Sequence, residues 1–222
     1  MARVRAEEIR DKAVLEVGAC NVNGSVRGYV ESLAPGRYLG VDLESGPGVD
    51  EVCRAEELVE RYGPDSFDVV LCTEMLEHVR DWRVVVSNLK QVVRPSGILL
   101  FTTRSAGFRF HGYPFDFWRY ELSDVAYIFS DFVTEALAAD PSEPGVFFKG
   151  HKPIDFKERD VSGYSLYSMM TERRALRVAG YEILAFRMWY LTRELFARVP
   201  FGFRRTLLSG PTRARIKKFL KL

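Results

Sequence analysis

Two carboxylates near the amino terminus stand where a sheet could present them to a ligand. Glu16 lies inside the apolar run Ala13-Val14-Leu15-Glu16-Val17-Gly18-Ala19, and Asp42 closes a second run, Arg37-Tyr38-Leu39-Gly40-Val41-Asp42. An acid at a strand end can accept both hydroxyls of a ribose. Gly18 lets the backbone turn tightly toward a ligand, and the helix that follows offers N–H groups with no partner of their own. The loop Cys20-Asn21-Val22-Asn23-Gly24 does not match GxGxxG. Glu16 would also repel a pyrophosphate, so a nucleoside is expected here rather than a dinucleotide. An ordinary strand–loop–helix turn would use the same residues, and it is the pairing with Asp42 that favours the nucleoside.

A second group suits proton transfer. The segment Arg104–Tyr120, RSAGFRFHGYPFDFWRY, packs His111, Asp116 and Arg119 among four Phe, two Tyr and a Trp. It is too apolar for a solvent-facing connection, so a substrate wall or lid is expected. The competing reading is a loop whose aromatics cover the core while Arg119 pairs with Asp116. Imidazole titrates near neutrality, which makes His111 the first candidate for a general base, followed by His78 and Asp116. A satisfied structural imidazole is the alternative for each histidine, and His151 is expected to be structural. The three His and three Cys show no ligand spacing, so no metal site is expected.

The elements that must position these residues alternate. Apolar runs at residues 13–19, 37–42, 50–53, 67–73 and 98–102 predict strands. Helical spacing covers 26–33, 55–61, 82–93 and 123–129, the last with Ser123 as N-cap. Pro95-Ser96-Gly97 predicts a turn. Residues 132–138 and 145–149 lack a helix between them and suit an antiparallel hairpin at a sheet edge. The expected fold is α/β: a doubly wound, mostly parallel seven-stranded sheet, its ligand outside the carboxyl ends of the strands.

With 28% charged and 13% aromatic residues, the 222-residue chain is not a disordered one. No stretch reaches the length of a membrane span, and the start lacks an apolar secretory segment. Cys20, Cys53 and Cys72 form no disulfide framework, so a reducing cytoplasm is expected. Charge is unevenly divided: residues 1–153 carry a net −7 and residues 154–222 a net +9. This places a boundary near Pro153, between a core of residues 1–153 and a basic, mainly helical extension of residues 154–222. In the extension, Gly180 is expected near the end of one helix, and MWYLTRELFARV is expected to form a second that stops at Pro200.

VLEVGACNVNGSV, YLGVD, VCRAEEL, FDVVLCTEMLEHV, LKQVVRPSGILLFTT and VFFKGHKP follow one another over residues 13–153. In that order they resemble the successive motifs of class I S-adenosylmethionine-dependent methyltransferases, of the type 11 kind. The resemblance implies a Rossmann-like methyltransferase fold and S-adenosylmethionine as cofactor. It implies that Glu16, Gly18, Ala19, Cys20 and the loop to Gly24 hold the methionine part, and that Asp42 binds the ribose. Leu43 would lie against the adenine, with Ala55 and Glu56 along its edge. Cys72, Thr73 and Glu74 would run beneath the cofactor, and His78 would begin the substrate wall. Two features depart from the family. Cys20 and Val22 stand where glycines are common, and Arg54 stands where an acid often accepts from the adenine amino group, so that either Glu56 or Glu57 replaces it or backbone groups hold the adenine.

The function implied is methyl transfer to an O or N of a small or conjugated molecule. An RNA methyltransferase using the basic tail is one alternative, and a non-catalytic cofactor-binding interaction protein is another. The tail, with FGFRRTLL and TRARIKKFLKL, could support a homodimer, an anionic membrane surface or nucleic acid. Tyr164, Tyr167 and Met169 are candidates to close over the site.

Overall fold

A computed structural model describes residues 4–22, 24–111 and 116–198. Its strands in chain order are β1 (Ala13–Val17), β2 (Arg37–Asp42), β3 (Glu51–Val52), β4 (Phe67–Thr73), β5 (Val93–Arg104), β6 (Trp118–Arg119), β7 (Val133–Ala139), β8 (Gly145–His151), β9 (Leu166–Ser168) and β10 (Arg173–Ala175). The helices are α1 (Ala6–Ile9), α2 (Arg27–Ser32), α3 (Leu58–Tyr62), α4 (Trp82–Val92), α5 (Leu122–Ile128) and α6 (Gly180–Arg198). Seven strands form one sheet in the order β3-β2-β1-β4-β5-β8-β7. The first five pair in parallel, and β8 runs antiparallel to both neighbours. This is the doubly wound sheet with an antiparallel edge hairpin that the alternation of elements predicts.

The central strands are apolar on both faces because helices cover both. Val14, Leu15 and Val17 of β1 and Val69 to Cys72 of β4 are buried. On α4, Trp82, Val85, Val86 and Leu89 are buried at helical spacing and form the face laid on the sheet. Lys90 is also fully buried. Its Nζ donates to Asp131 Oδ2 at 2.6 Å and to the Ile128 carbonyl at 2.7 Å. Burial lowers the Lys90 pKa, and the Asp131 bond acts against that shift.

Three local expectations change. Helix α5 is capped by Glu121, whose N–H donates to Asp124 Oδ2 at 2.9 Å, so Ser123 lies inside the helix. Asp124, at the third helical position, accepts from the Glu121 amide as half of a capping box. The Pro95-Ser96-Gly97 turn is a bulge within β5: the register with β4 passes from Phe67 opposite Val93 to Val69 opposite Ile98. Gly180 begins α6 rather than ending a helix, and α6 includes the MWYLTRELFAR stretch through Arg198.

The first compact unit runs on to Val178, past the Pro153 boundary that charge suggests, and a second begins at Ala179. Residues 154–178 add β9 and β10, which with β6 make a second sheet of order β10-β9-β6. Arg80, just before α4, and Arg83, in its first turn, tie this stretch down. Arg83 donates to the carbonyls of Val161 at 3.0 Å and Leu176 at 2.5 Å, and Arg80 donates to that of Val178 at 2.9 Å. FGFRRTLL and TRARIKKFLKL lie outside the described residues. Among the described residues, no helix is long and apolar enough to cross a membrane.

Removing one partner of a buried ion pair strands the other charge. Asp131→Ala is therefore expected to lower the unfolding free energy by about 3–5 kcal/mol in urea titrations. Adding Lys90→Met to that variant is expected to recover most of the loss. A single variant as stable as the wild type would contradict this reading of Lys90.

Candidate active site

Parallel pairing of β1 with β2 sets Glu16 opposite Gly40 and Val17 opposite Val41, so Gly18 and Asp42 emerge at the same sheet edge. The Gly18 and Ala19 amides both donate to the Val41 carbonyl at 3.0 Å. Gly18 has φ +81°, and a Cβ there would stand 2.9 Å from Met75 Cβ. Glycine is thus required by the backbone and by the space. The Asp42 carboxylate is already oriented: Oδ2 accepts from the Cys20 amide at 2.9 Å and Oδ1 from the Leu43 amide at 2.7 Å. Each oxygen retains acceptor capacity for a hydroxyl. Leu43 presents an apolar side chain that is 52% exposed.

Glu16 is buried and accepts a hydrogen bond from the Tyr38 hydroxyl. Burial raises its pKa, against the pull of that bond. Asn21 Oδ1 accepts from the Gly24 amide at 3.0 Å, and the Asn21 amide donates to the Pro47 carbonyl at 2.7 Å. The turn at Pro47 explains how Cys20 fits where glycine is common. A Cβ at Gly46 would lie 2.8 Å from Cys20 Sγ, and one at Gly48 2.6 Å from the Ala19 carbonyl oxygen. The need for glycine has moved to the facing turn.

Ala55 and Glu56 lie in a 3-10 turn, Ala55–Glu57, just after β3. Arg54 pairs with Glu56 at 3.3 Å and Glu57 at 3.7 Å, so the arginine engages both acids expected to replace the missing one. Cys72 is fully buried, and burial raises its thiol pKa well above the ordinary value. Thr73 is half-buried. Glu74 sits in the left-handed region at φ +52°, a strained conformation for a non-glycine residue. Its amide donates to the Thr102 carbonyl at 3.0 Å, and its Oε1 accepts from the Thr102 hydroxyl at 2.7 Å.

After Glu74, a second 3-10 turn, Leu76–His78, brings the other group together. Glu77 is completely buried; its Oε2 accepts from the Thr103 hydroxyl at 2.9 Å, while its Oε1 accepts no hydrogen bond from the described residues. His111 Nε2 lies 3.7 Å from that oxygen and His78 Nε2 lies 4.0 Å from it. The two imidazoles meet edge to face, with ring centroids 4.7 Å apart. Burial raises the Glu77 pKa to about 7.

Asp116 stands behind this cluster. Its Oδ2 accepts the His111 amide at 2.7 Å and lies 3.1 Å from His111 Nδ1. Arg119 Nη2 donates to the same oxygen at 2.8 Å. Burial pushes the Asp116 carboxyl up, but Arg119 and His111 outweigh it and hold the pKa at about 2. Asp116 is therefore ionised at neutral pH, and its carboxylate contacts both the amide and the ring of His111. The pairing of Asp116 with Arg119 that the second reading expects is present, and His111 lies beside Glu77 and His78. Gly112 to Phe115 lie outside the described residues.

His151 pairs with Glu135 at 2.9 Å in the edge hairpin, a structural role as expected. Tyr164 does not reach toward the site: its hydroxyl donates to Asp124 at 2.7 Å and its ring stacks on Tyr127. Tyr167 pairs in register with Arg119, and the Met169 amide donates to the Phe117 carbonyl at 2.8 Å, so both back the aromatic segment. Glu77 joins this cluster without any spacing signal among histidines and cysteines; the sequence marks it only as the acid of the Glu77-His78 pair after β4.

A methyltransferase domain family model matches residues 2–140. Ubiquinone biosynthesis O-methyltransferases of Chromobacterium violaceum and Yersinia enterocolitica are 34% and 36% identical, each over 112 residues. The matches cover 45% of this chain and 47% and 45% of those proteins, so the chain spans less than half the length of these curated relatives. Among solved structures, an S-adenosylmethionine dependent methyltransferase from Mesorhizobium loti is similar over 65% of this chain and 93% of its own, with TM-score 0.51 and 15% identity. The 1,6-didemethyltoxoflavin-N1-methyltransferase of Burkholderia thailandensis, solved with S-adenosylhomocysteine, is similar over 65% of this chain and 72% of its own, with TM-score 0.51 and 17% identity. The chain belongs to the methyltransferase domain family and has the doubly wound fold of class I S-adenosylmethionine-dependent methyltransferases.

Proposed function

We propose that the chain transfers a methyl group from S-adenosylmethionine to a hydroxyl oxygen of a small, conjugated molecule. The observation that carries this reading is the Glu77–His78–His111 cluster, one turn beyond the strand end that supports the nucleoside residues. Bound S-adenosylmethionine supplies a methyl group already activated on a sulfonium sulfur. The residues present fit that group: a Cβ would fill the cradle at Gly18, and Asp42 is fixed with acceptor capacity to spare. In this reading Glu16, Gly18, Ala19, Cys20 and the loop to Gly24 surround the methionine part. Asp42 takes the ribose hydroxyls, Leu43 packs on the adenine, and Ala55 and Glu56 line its edge. Cys72, Thr73 and Glu74 form the floor.

What remains for the protein is alignment and removal of the acceptor's proton. The cluster serves the second task, with Asp116 as the positioning residue for His111. A hydroxyl needs this help, since its oxygen attacks well only as it loses its proton. The O-methyltransferase names of the curated relatives support oxygen over nitrogen. The apolar side chains around His111, with Phe108 edge-on to its ring at 5.0 Å, suit an aromatic acceptor.

Calorimetric titration with S-adenosylhomocysteine is expected to show binding that Asp42→Ala weakens at least tenfold, about 1.4 kcal/mol. Equal affinity in folded protein would remove Asp42 from the ribose site. On a panel of phenols and catechols, turnover is expected from the wild type. His111→Ala is expected to lower kcat about 100-fold or more while its affinity for S-adenosylhomocysteine stays within twofold. Asp116→Asn is expected to fall between the two and to shift the pH profile of kcat, which a purely structural role would not do. Turnover on amines and none on hydroxyls would overturn the oxygen assignment.

A further inference from the structure

We propose that Glu77, His78 and His111 form a binding site for a divalent metal ion of the kind that imidazole and carboxylate share, such as Mn²⁺, Fe²⁺ or Zn²⁺. Each residue offers one ligand atom, and the three atoms lie within 4.8 Å of one another. Two histidines and one carboxylate on one side of an ion, with the remaining positions open, make a recurrent catalytic ligand set.

The independent observation is Glu77 Oε1. It belongs to a side chain with no exposed surface, and it accepts no hydrogen bond from the described residues. Leaving a buried carboxylate oxygen unpaired is costly, so such an oxygen calls for a partner. The groups aimed at it are two imidazole nitrogens, at 3.7 and 4.0 Å. Those distances are too long for hydrogen bonds. They are close to what a shared ion requires: ligand atoms about 3.3 Å apart for tetrahedral bonds of about 2.0–2.1 Å. The widest separation in the set, up to 4.8 Å, must shorten by about 1.5 Å to reach that value, a movement that rotation of the partly exposed imidazoles supplies.

The surroundings match a metal site as well. A ligating histidine commonly donates its other ring N–H to a carboxylate, which fixes the tautomer. His111 Nδ1 lies 3.1 Å from Asp116 Oδ2, which Arg119 Nη2 also approaches at 2.8 Å, so Nε2 is the ring nitrogen left on the side of Glu77. A ligating carboxylate is itself commonly hydrogen-bonded. Glu77 Oε2 accepts from the Thr103 hydroxyl at 2.9 Å. The carboxylate is buried, but the histidine side chains are 27% and 29% exposed, so the open side of the set faces outward, where an acceptor would arrive. A structural site would be closed on all sides.

For catalysis the inference rests on the methyl-transfer reading above. The acceptor oxygen would take an open position on the ion, which would lower its pKa so that its proton passes to water; the oxygen would then bond to the methyl as the methyl–sulfur bond breaks and leaves a thioether, and His111 would act through the ion. Metal binding itself depends on none of this and can be measured without cofactor or acceptor.

The test is calorimetric titration of the full chain, stripped with chelator, with Mn²⁺ alone and with Zn²⁺ alone. The expected result is one ion per chain. Glu77→Gln and His78→Ala are each expected to weaken binding at least tenfold while keeping the wild-type affinity for S-adenosylhomocysteine, which shows that the variants are folded. His78→Ala guards against a Glu77 variant that fails to fold, since His78 is partly exposed. Absence of stoichiometric binding by the wild type would overturn the proposal. So would binding that both variants retain, because the ion would then sit elsewhere. Failure of the methyl-transfer reading would appear separately, as loss of S-adenosylhomocysteine binding or of turnover with the metal site intact.

Discussion

Asp116 and Arg119 form an ion pair in which neither side chain reaches solvent. Such a pair is tolerated only where the rest of its bonding capacity is filled. Here it is filled by the site itself. The guanidinium also donates to the carbonyls of Trp118 at 2.8 Å and Arg109 at 3.1 Å, and the carboxylate takes the His111 amide and holds its ring. The described ends of the aromatic segment, Arg109 to His111 and Asp116 to Arg119, are thereby tied to each other. The pair has little claim as a source of stability, since a well-packed apolar replacement could serve the fold as well. Its distinct effect is orientation: it decides which nitrogen of His111 faces Glu77.

The end of β4 joins this segment to the nucleoside side. Met75 packs against Gly18, Glu74 is strained into the left-handed region, and Glu77 follows in the next turn. The same short stretch therefore touches the β1 loop and carries the buried carboxylate. Two locks keep it aligned with the aromatic segment: the Phe117 amide donates to the Glu77 carbonyl at 2.8 Å, and the Trp118 indole to the Val79 carbonyl at 2.9 Å. Strain at Glu74 persists because its neighbours leave it no alternative.

Much of the scaffold was legible in the sequence because strong local signals agreed with the tertiary fold. Strands β2 and β4 run from Arg37 to Asp42 and from Phe67 to Thr73, the spans their apolar runs predict. Signals that depend on a distant partner were not legible. Whether Ser123 or Glu121 caps α5 turns on Asp124 reaching back, and Pro95-Ser96-Gly97 is a bulge because β4 pairs on both sides of it. Charge placed a boundary near Pro153, yet Arg80 and Arg83 bind residues 161–178 to the first unit through backbone carbonyls that charge counting does not see. Asp42 and His111 could be singled out by residue type and place. The convergence of Glu77, His78 and His111 could not, because it exists only once β4 and the aromatic segment lie side by side.

Determining the structure with S-adenosylhomocysteine bound tests the central claim most directly, that one strand end sets a nucleoside site against a proton-handling cluster. The expected result has the ribose hydroxyls on Asp42, the loop from Gly18 to Gly24 around the amino-acid part, and the sulfur facing Glu77, His78 and His111. A ribose away from Asp42, or a sulfur pointing away from the cluster, would contradict it.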